Sequence, residues 1–406
     1  MPLSGDPREN QPAAIKLGAV ALVIAGQSRA NRRQLLFGAG ALLMMQARPA
    51  PAAASRLLPI APEEAGFAPD LAARLDKAIA DKRVWNLHGV VVVRDDRLVL
   101  ERYFEAEDNA RGRPLGRVAF ASDTLHDLRS VSKSIVALIY GIALDQGKVP
   151  PPEAPLFAAF PQYAALAQHE GRDQLTIHHV LSMTMGTDWD ETSIPYSDPA
   201  NSEIAMDLAA DRYRYILERR VVREPGRRFT YCGGATALLA RIIANGVGKP
   251  LHEFARKTLF DPLGLGPTEW LTGRDGEPLA ASGLRMAPRD LAQIGMMVLR
   301  GGTSGADRIV SAQWLERCTS PIASVDEVRR FGYHWYVADI SFGKPLGWAP
   351  RHLERAWMAF GEGGQRLFLM PGLKLAVAIT AGNYGADDQW IPPTRVLREV
   401  VLESIR

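Results

Sequence analysis

Between residues 70 and 404 the apolar positions fall into runs of two periods. Leu71, Leu75 and Ile79 recur every fourth residue, which predicts an amphipathic helix over Asp70–Lys82. Gly89–Val93 and Leu98–Phe104 are β-rich runs joined by Arg94-Asp95-Asp96-Arg97, and they read as a hairpin opening an antiparallel sheet. Ser130–Gln146 is a strongly apolar helix, with Ile135, Val136, Leu138, Ile139, Ile142 and Leu144, and Gly147 stops it. Thr176–Met183, Ser202–Leu217, Ala235–Ala244 and Pro288–Leu299 read as further helices. Gln365–Met370 and Ala376–Ala381 are strands about a Pro371-Gly372 turn, and Pro392–Ser404 closes as a helix. Strands at both ends with helices between predict an α/β (α+β) domain. Its antiparallel sheet is built from both termini and flanked by helices, with a mainly helical insertion over about 150–273.

The first 54 residues follow another pattern. Arg32-Arg33 precedes the apolar Phe37–Met45, and Ala50-Pro51-Ala52-Ala53-Ala54 follows. A positive region, an apolar region and a small-residue cleavage site are the three parts of an export signal. The paired arginines point to the twin-arginine route. Residues 1–54 are therefore expected to be a signal with an N-terminal extension, and 55–406 an exported domain, periplasmic or secreted from a bacterial cell. No apolar run reaches the roughly 18 residues of a membrane span, so no stable membrane insertion is expected after cleavage.

Charge changes the picture little. The 406 residues carry a formal net charge of +3, and without residues 1–54 the balance is 42 basic against 43 acidic. A near-neutral chain disfavours an extended nucleic-acid surface. Cys232 and Cys318 make neither a disulfide framework nor a metal knuckle. No His-Glu-x-x-His, Gly-x-Ser-x-Gly or dinucleotide glycine fingerprint occurs, and the adjacent His178 and His179 cannot face one metal from a helix. The eight histidines read as scattered, and neither a metal nor a cofactor is expected.

The sharpest chemical feature is Ser130-Val131-Ser132-Lys133 at the start of the apolar helix. Ser130 and Lys133 share one helical face. A serine hydroxyl needs a base, and a lysine serves if burial lowers its pKa towards neutrality. The free N–H groups of a helix N-terminus suit a developing oxyanion. Arg228-Phe229-Thr230-Tyr231-Cys232-Gly233 and Gly361-Glu362-Gly363-Gly364-Gln365 follow at long intervals.

With Leu128–Ser134, Leu181-Ser182-Met183-Thr184-Met185-Gly186, Phe229-Thr230-Tyr231, Ser282–Ala292 and Gly363-Gly364-Gln365 in this order, the chain resembles the serine β-lactamase and penicillin-binding-protein superfamily. Its class C β-lactamase-like branch also holds carboxylesterases, D-alanyl-D-alanine carboxypeptidases and 6-aminohexanoate-dimer hydrolases. The resemblance runs from about residue 85 to 400. It implies that Ser130 is acylated, that Lys133 is its base, and that Tyr231 shuttles a proton to the leaving group as a phenolate stabilised by Lys133. Backbone N–H groups of Ser130 and Glu362 are expected to hold the oxyanion, while Gly361 and Gly363 allow close approach of the substrate.

Two departures concern substrate. Gly233 stands where β-lactamases of this branch carry asparagine, and Gly361-Glu362-Gly363 replaces their Lys-Thr-Gly. No basic side chain stands in the lysine position, and the glutamate of this stretch repels an anionic substrate if it points into the site. Asp190 and Tyr196, in a loop similar to the substrate cover of the dimer hydrolases, are candidates for holding an ammonium group. The region of Asn383-Tyr384 and Asp387–Trp390 is a candidate cleft rim. Cys232 reads as a small buried residue. The expected activity is hydrolysis of small neutral or cationic esters or amides. The alternatives are a β-lactamase or cell-wall carboxypeptidase, and a catalytically idle binding protein on the same cleft. Oligomeric state is not encoded in any of these features.

Overall fold

The computed structural model describes residues 57–343 and 352–406, so the expected export signal lies outside the described residues. Nine strands form the main sheet in the order Leu58–Pro59, Arg97–Tyr103, Leu87–Arg94, Leu375–Ala381, Gln365–Met370, His352–Gly361, Tyr336–Phe342, Arg330–Phe331 and Ala323–Ser324. All neighbours are antiparallel except the first pair, where Leu58 lies beside Arg97 in parallel register. N-terminal and C-terminal strands meet at the centre, Val91 lying opposite Ala378. The hairpin turn is tighter than the sequence suggested: only Asp95 and Asp96 lie outside the strands, both with positive φ (47° and 63°), which matches the right-handed twist of the flanking strands.

The valine run in Leu87–Arg94 is buried on both sides because helices cover both faces. Val90 and Val92 join the apolar layer of α1 (Leu71–Ala80), with Leu71 and Leu75, and of the C-terminal helical stretch, with Val396 and Val400. Val91 and Val93 face the opposite layer. There α2 (Val131–Asp145) is buried from Val131 to Ala143. The chain from Pro150 to Gly273 is mainly helical, with α3 (Ile177–Leu181), α4 (Ser202–Leu208), α5 (Arg212–Leu217), α6 (Gly233–Val247) and α7 (Leu251–Ala255). Then α8 (Pro288–Leu299) packs back on the sheet.

Three details depart from the sequence pattern. Ser202–Leu217 is two helices, because Ala209 turns extended (ψ 143°) and Asp211 caps a new start through Arg214 N–H. The final helix begins at Ile391, widens to π-type turns over Val396–Val401 and ends in a 3₁₀ turn at Leu402–Ser404. The hairpin of Glu105–Ala110 with Arg113–Ala119 and the long strands Tyr336–Phe342 and His352–Gly361 carry no clean alternation, and pattern alone misses them.

Candidate active site

Ser130 caps α2, and the residue before it, Arg129, holds a left-handed backbone (φ 48°) that non-glycine residues rarely adopt. Neighbouring hydroxyls are occupied elsewhere: Ser132 donates to Arg129 O at 2.6 Å and Ser134 to His334 O at 2.6 Å. Ser130 Oγ instead accepts from Lys133 Nζ at 3.0 Å. Lys133 also donates to Ala281 O at 3.2 Å, and Leu284 N–H donates to Ser132 Oγ at 3.2 Å. The Ser282–Ala292 segment thus pins the start of α2 from outside. Tyr231 arrives from the third motif: Thr230 N–H donates to Met183 O at 2.9 Å, and Lys133 Nζ lies 4.8 Å from the phenol ring centroid. Ser130, Lys133 and Tyr231 therefore stand together, as expected from the sequence.

The charge state of this group differs from the sequence expectation. Burial pulls the Lys133 ammonium down, but Tyr231, Glu203 and Glu191 outweigh it and hold the lysine above its ordinary value. Burial pushes the Tyr231 phenol up despite the pull of Lys133. Burial was expected to bring Lys133 towards neutrality, and a nearby Lys133 ammonium to lower Tyr231 towards a phenolate; instead both groups are held above their ordinary values. The reason is two acids to which the sequence analysis gave no role. Glu191 Oε1 and Glu203 Oε2 each lie 3.7 Å from Lys133 Nζ, with both side chains buried. Glu191 Oε2 accepts from Trp189 Nε1 at 2.8 Å and from Gly233 N–H at 2.5 Å, and Glu203 Oε1 accepts from Ser282 Oγ at 3.1 Å. The two carboxyls are hydrogen-bonded to each other. Burial and Glu203 push Glu191 well above the carboxylate range, whereas Lys133 and the bond from Glu191 overcome burial to hold Glu203 at about 2. Glu191 follows Asp190 in the loop that carries Tyr196, and Glu203 stands at the start of α4, so neither position marked them as partners of Lys133.

A cleft of about 940 Å³ opens over Ser130. It is within the range that encloses a drug-sized molecule. Tyr196 lines it and donates to Glu191 Oε1 at 3.1 Å. Asp190 is not among the lining residues: its carboxylate accepts from Ser193 N–H at 3.0 Å and from the Ser193 hydroxyl, closing an exposed turn, so it holds no ammonium group here. Gly233 is filled by the acids rather than by substrate, since a Cβ there would sit 2.6 Å from Glu203 Oε2. Tyr384, Asp387 and Gln389 form the opposite rim.

Glu362 does point into the cleft. Its Oε1 accepts from Gly385 N–H at 2.5 Å, and Oε2 lies 3.8 Å from Arg129 Nε. A guanidinium from the Ser130 side thus offsets part of the carboxylate charge that the sequence placed there. Gly361 presses on the strand end before Ser130, where a Cβ would overlap Leu128 O. That close approach sets the Glu362 N–H beside the α2 N-terminus. Among the described residues neither the Ser130 nor the Glu362 N–H has a backbone acceptor. Gly363 (φ 86°) turns the chain and donates to Oε1 of the rim residue Gln389 at 2.6 Å.

The histidines are not all scattered. His88 Nδ1 meets His126 Nε2 at 2.8 Å, and Asp108 Oδ1 lies 3.9 Å from both. Among the described residues this buried trio is the group whose donors lie close enough for a metal. Burial lowers both imidazoles to about 4, so they are neutral near pH 7 and hydrogen-bond each other. Tyr384 donates to Asp108 Oδ1 at 3.2 Å and stacks near His126, which makes the trio the footing of the cleft rim. A sequence separation of 38 residues hid the pairing. His178 and His179, by contrast, have separate partners in Tyr333 and Thr176. Cys232 is buried and caps α6, accepting from Ala235 N–H at 3.3 Å, and burial pushes its thiol well up, away from nucleophilic use.

The chain is similar in sequence and in fold to known proteins. The sequence model of the beta-lactamase family matches residues 78–394. A 6-aminohexanoate-dimer hydrolase of Paenarthrobacter ureafaciens is 28% identical over 260 residues, which is 61% of this chain and 59% of that protein's length. Among solved structures, EstCE1, a hydrolase with promiscuous acyltransferase activity, superposes with a TM-score of 0.65 at 18% identity, covering 82% of this chain and 98% of that one. The octameric penicillin-binding protein homologue from Pyrococcus abyssi gives 0.56 at 18% identity, covering 81% and 76%. At such identity the two structures establish the fold alone.

Proposed function

The chain belongs to the beta-lactamase family, and on that premise we propose that it is a serine hydrolase that cleaves small neutral or cationic esters or amides through an acyl-enzyme on Ser130. The observation that carries the reading is Lys133 Nζ at 3.0 Å from Ser130 Oγ on the floor of a substrate-sized cleft. Ser130 attacks the carbonyl, its proton leaves through Lys133, and the N–H groups of Ser130 and Glu362 stabilise the oxyanion. Tyr231, a phenol at rest, passes a proton to the leaving group. Water then repeats the sequence and frees the acid.

Gly361→Ala tests the oxyanion half of this account. The new methyl overlaps Leu128 O and pushes the Glu362 N–H away from Ser130. The kcat for p-nitrophenyl acetate is expected to fall about 10²-fold. Stability in urea is expected to drop by about 1–3 kcal/mol. Unchanged kcat in the folded variant removes Glu362 from the oxyanion hole.

Substrate class rests on Glu362, whose carboxylate faces the cleft in the stretch where the resemblance calls for Lys-Thr-Gly and no basic side chain stands. A second reading, β-lactam or cell-wall peptide hydrolysis, is favoured by Arg111 and Arg129, two guanidinium groups in the same cleft wall. Arg111 is tied to Asp207 at 3.2 Å and Arg129 lies near Asp127 and Glu362, so neither is a free carboxylate receptor. Side-by-side kinetics on p-nitrophenyl acetate, a linear 6-aminohexanoate dimer and nitrocefin decide the ranking. The ester or the amide is expected to show a kcat/KM well above that of nitrocefin, and the reverse order selects the second reading.

A further inference from the structure

The Glu362 N–H, read above as an oxyanion donor, belongs to a peptide whose carbonyl end is held by Arg366. That carbonyl is Gly361 O, which accepts from Arg366 Nη1 at 2.8 Å. The same nitrogen donates to Gln365 O at 2.7 Å, across the last residue pair between the strands His352–Gly361 and Gln365–Met370. In a trans peptide the C=O and N–H point in opposite directions. A cation on Gly361 O therefore lies behind the Glu362 N–H, and the N–H is aimed away from it. Arg366 is only 7% exposed. Its guanidinium carbon lies 4.9 Å from the centroid of the Phe360 ring, which is itself stacked on Tyr336 at 4.8 Å. The ionisable groups that act on it are Tyr336, Arg329 and Tyr231, none of them a carboxylate. Burial lowers the guanidinium only to about 10, so it keeps its charge near neutral pH. Buried cations are normally paired, and an unpaired one is costly.

Other bonds already fix the turn that carries Glu362. Gln365 Nε2 donates to Glu362 O at 3.2 Å and to Ala381 O at 2.7 Å, and Ala381 N–H donates to Gln365 Oε1 at 3.0 Å. Asn383 N–H donates to Gly363 O at 3.0 Å. What Arg366 adds to these ties is charge, delivered at one carbonyl of the site. Resting on the serine-hydrolase reading, and on its oxyanion hole in particular, we propose that Arg366 polarises the Gly361–Glu362 peptide and so strengthens the Glu362 N–H as an oxyanion donor. A charge-assisted bond to the carbonyl draws electron density from the amide nitrogen and leaves its hydrogen more positive. The guanidinium is in place before substrate arrives, so nothing has to reorganise when the oxyanion forms. Arg366 touches no substrate atom; it is a positioning residue that acts only through this peptide.

Two variants separate charge from mechanical support. Arg366→Gln keeps an amide donor and removes the charge. It is expected to lower kcat for p-nitrophenyl acetate about tenfold, with KM changed less than about threefold. Its melting temperature is expected to match or exceed that of the wild type, because a buried unpaired charge is gone. Arg366→Lys keeps the charge and is expected to hold kcat within about threefold of the wild type. A merely mechanical tie predicts similar losses from both variants and a lower melting temperature. That pattern, or an Arg366→Gln kcat within about twofold of the wild type, overturns the proposal. If Arg366→Gln does not fold, Arg366→Lys decides alone. A buried lysine gives up its proton far more readily than an arginine, so its kcat relative to the wild type is expected to fall between pH 7 and pH 9. A constant ratio overturns the proposal. Unchanged kcat in Gly361→Ala sinks the oxyanion reading on which Arg366 depends. A lowered kcat there, with Arg366→Gln still at the wild-type rate, sinks only the role of Arg366.

Discussion

Replacing Ser130 with alanine is expected to lower kcat for p-nitrophenyl acetate by at least about 10⁴-fold, since loss of a nucleophile leaves only the oxyanion hole and binding to act. The same change abolishes fluorophosphonate labelling. Folding is expected to survive, because Ser130 makes no side-chain cap to α2 and its hydroxyl accepts only from Lys133. Ser132 and Ser134 cannot substitute: both are buried, and their hydroxyls hold Arg129 O and His334 O. Residual turnover above about one hundredth of the wild type, in a protein with an unchanged melting temperature, means that another group performs the attack.

The second large effect belongs to Lys133. Lys133→Met is expected to lower kcat by about 10³-fold, with KM nearly constant, because the proton path from Ser130 is cut. It also strands a negative charge on the Glu191–Glu203 pair, at a cost of about 3–5 kcal/mol near neutral pH. The pH dependence has a definite sign. In the wild type Glu203 is held at about 2, below its ordinary value, so its stabilisation is present above the usual carboxylate pKa and is lost only as pH falls towards 2. Without the ammonium the pair binds a second proton more readily in the folded state. A raised folded pKa gives stability that is present in acid and lost as pH rises. Urea denaturation at pH 5 and pH 8 is therefore expected to show the variant's deficit growing towards pH 8. A deficit independent of pH contradicts the buried counter-charge.

Much of this was legible in the chain. The period-four helix at Leu71–Ile79, the hairpin about Asp95 and the apolar α2 are local patterns, and the structure repeats them nearly residue for residue. Ser130, Lys133 and Tyr231 sit in motifs whose spacing and order carried the resemblance, so their meeting was readable too. What escaped depends on distance through the fold. Glu203 looked like an ordinary residue early in a helix, and only the glycine at 233 shows in the structure why an acid fits there. The protonation states of Lys133 and Tyr231 were misjudged for the same reason. Burial was visible as an apolar run, but the opposing carboxyls come from chain segments 58 and 70 residues downstream of Lys133. His88 and His126 paired across separate strands, and Asp190 spent its charge on a local turn. Local pattern reveals which face is buried, and tertiary contact decides what charge that face can hold.

The central claim is a covalent acyl-Ser130 intermediate. Rapid quenching of the purified protein with p-nitrophenyl acetate, followed by intact-mass and peptide mass spectrometry, observes it directly. The account predicts a single acetyl adduct that appears within one turnover, maps to Ser130 and is absent from Ser130→Ala. Turnover without any adduct, or an adduct on another residue that survives Ser130→Ala, contradicts it.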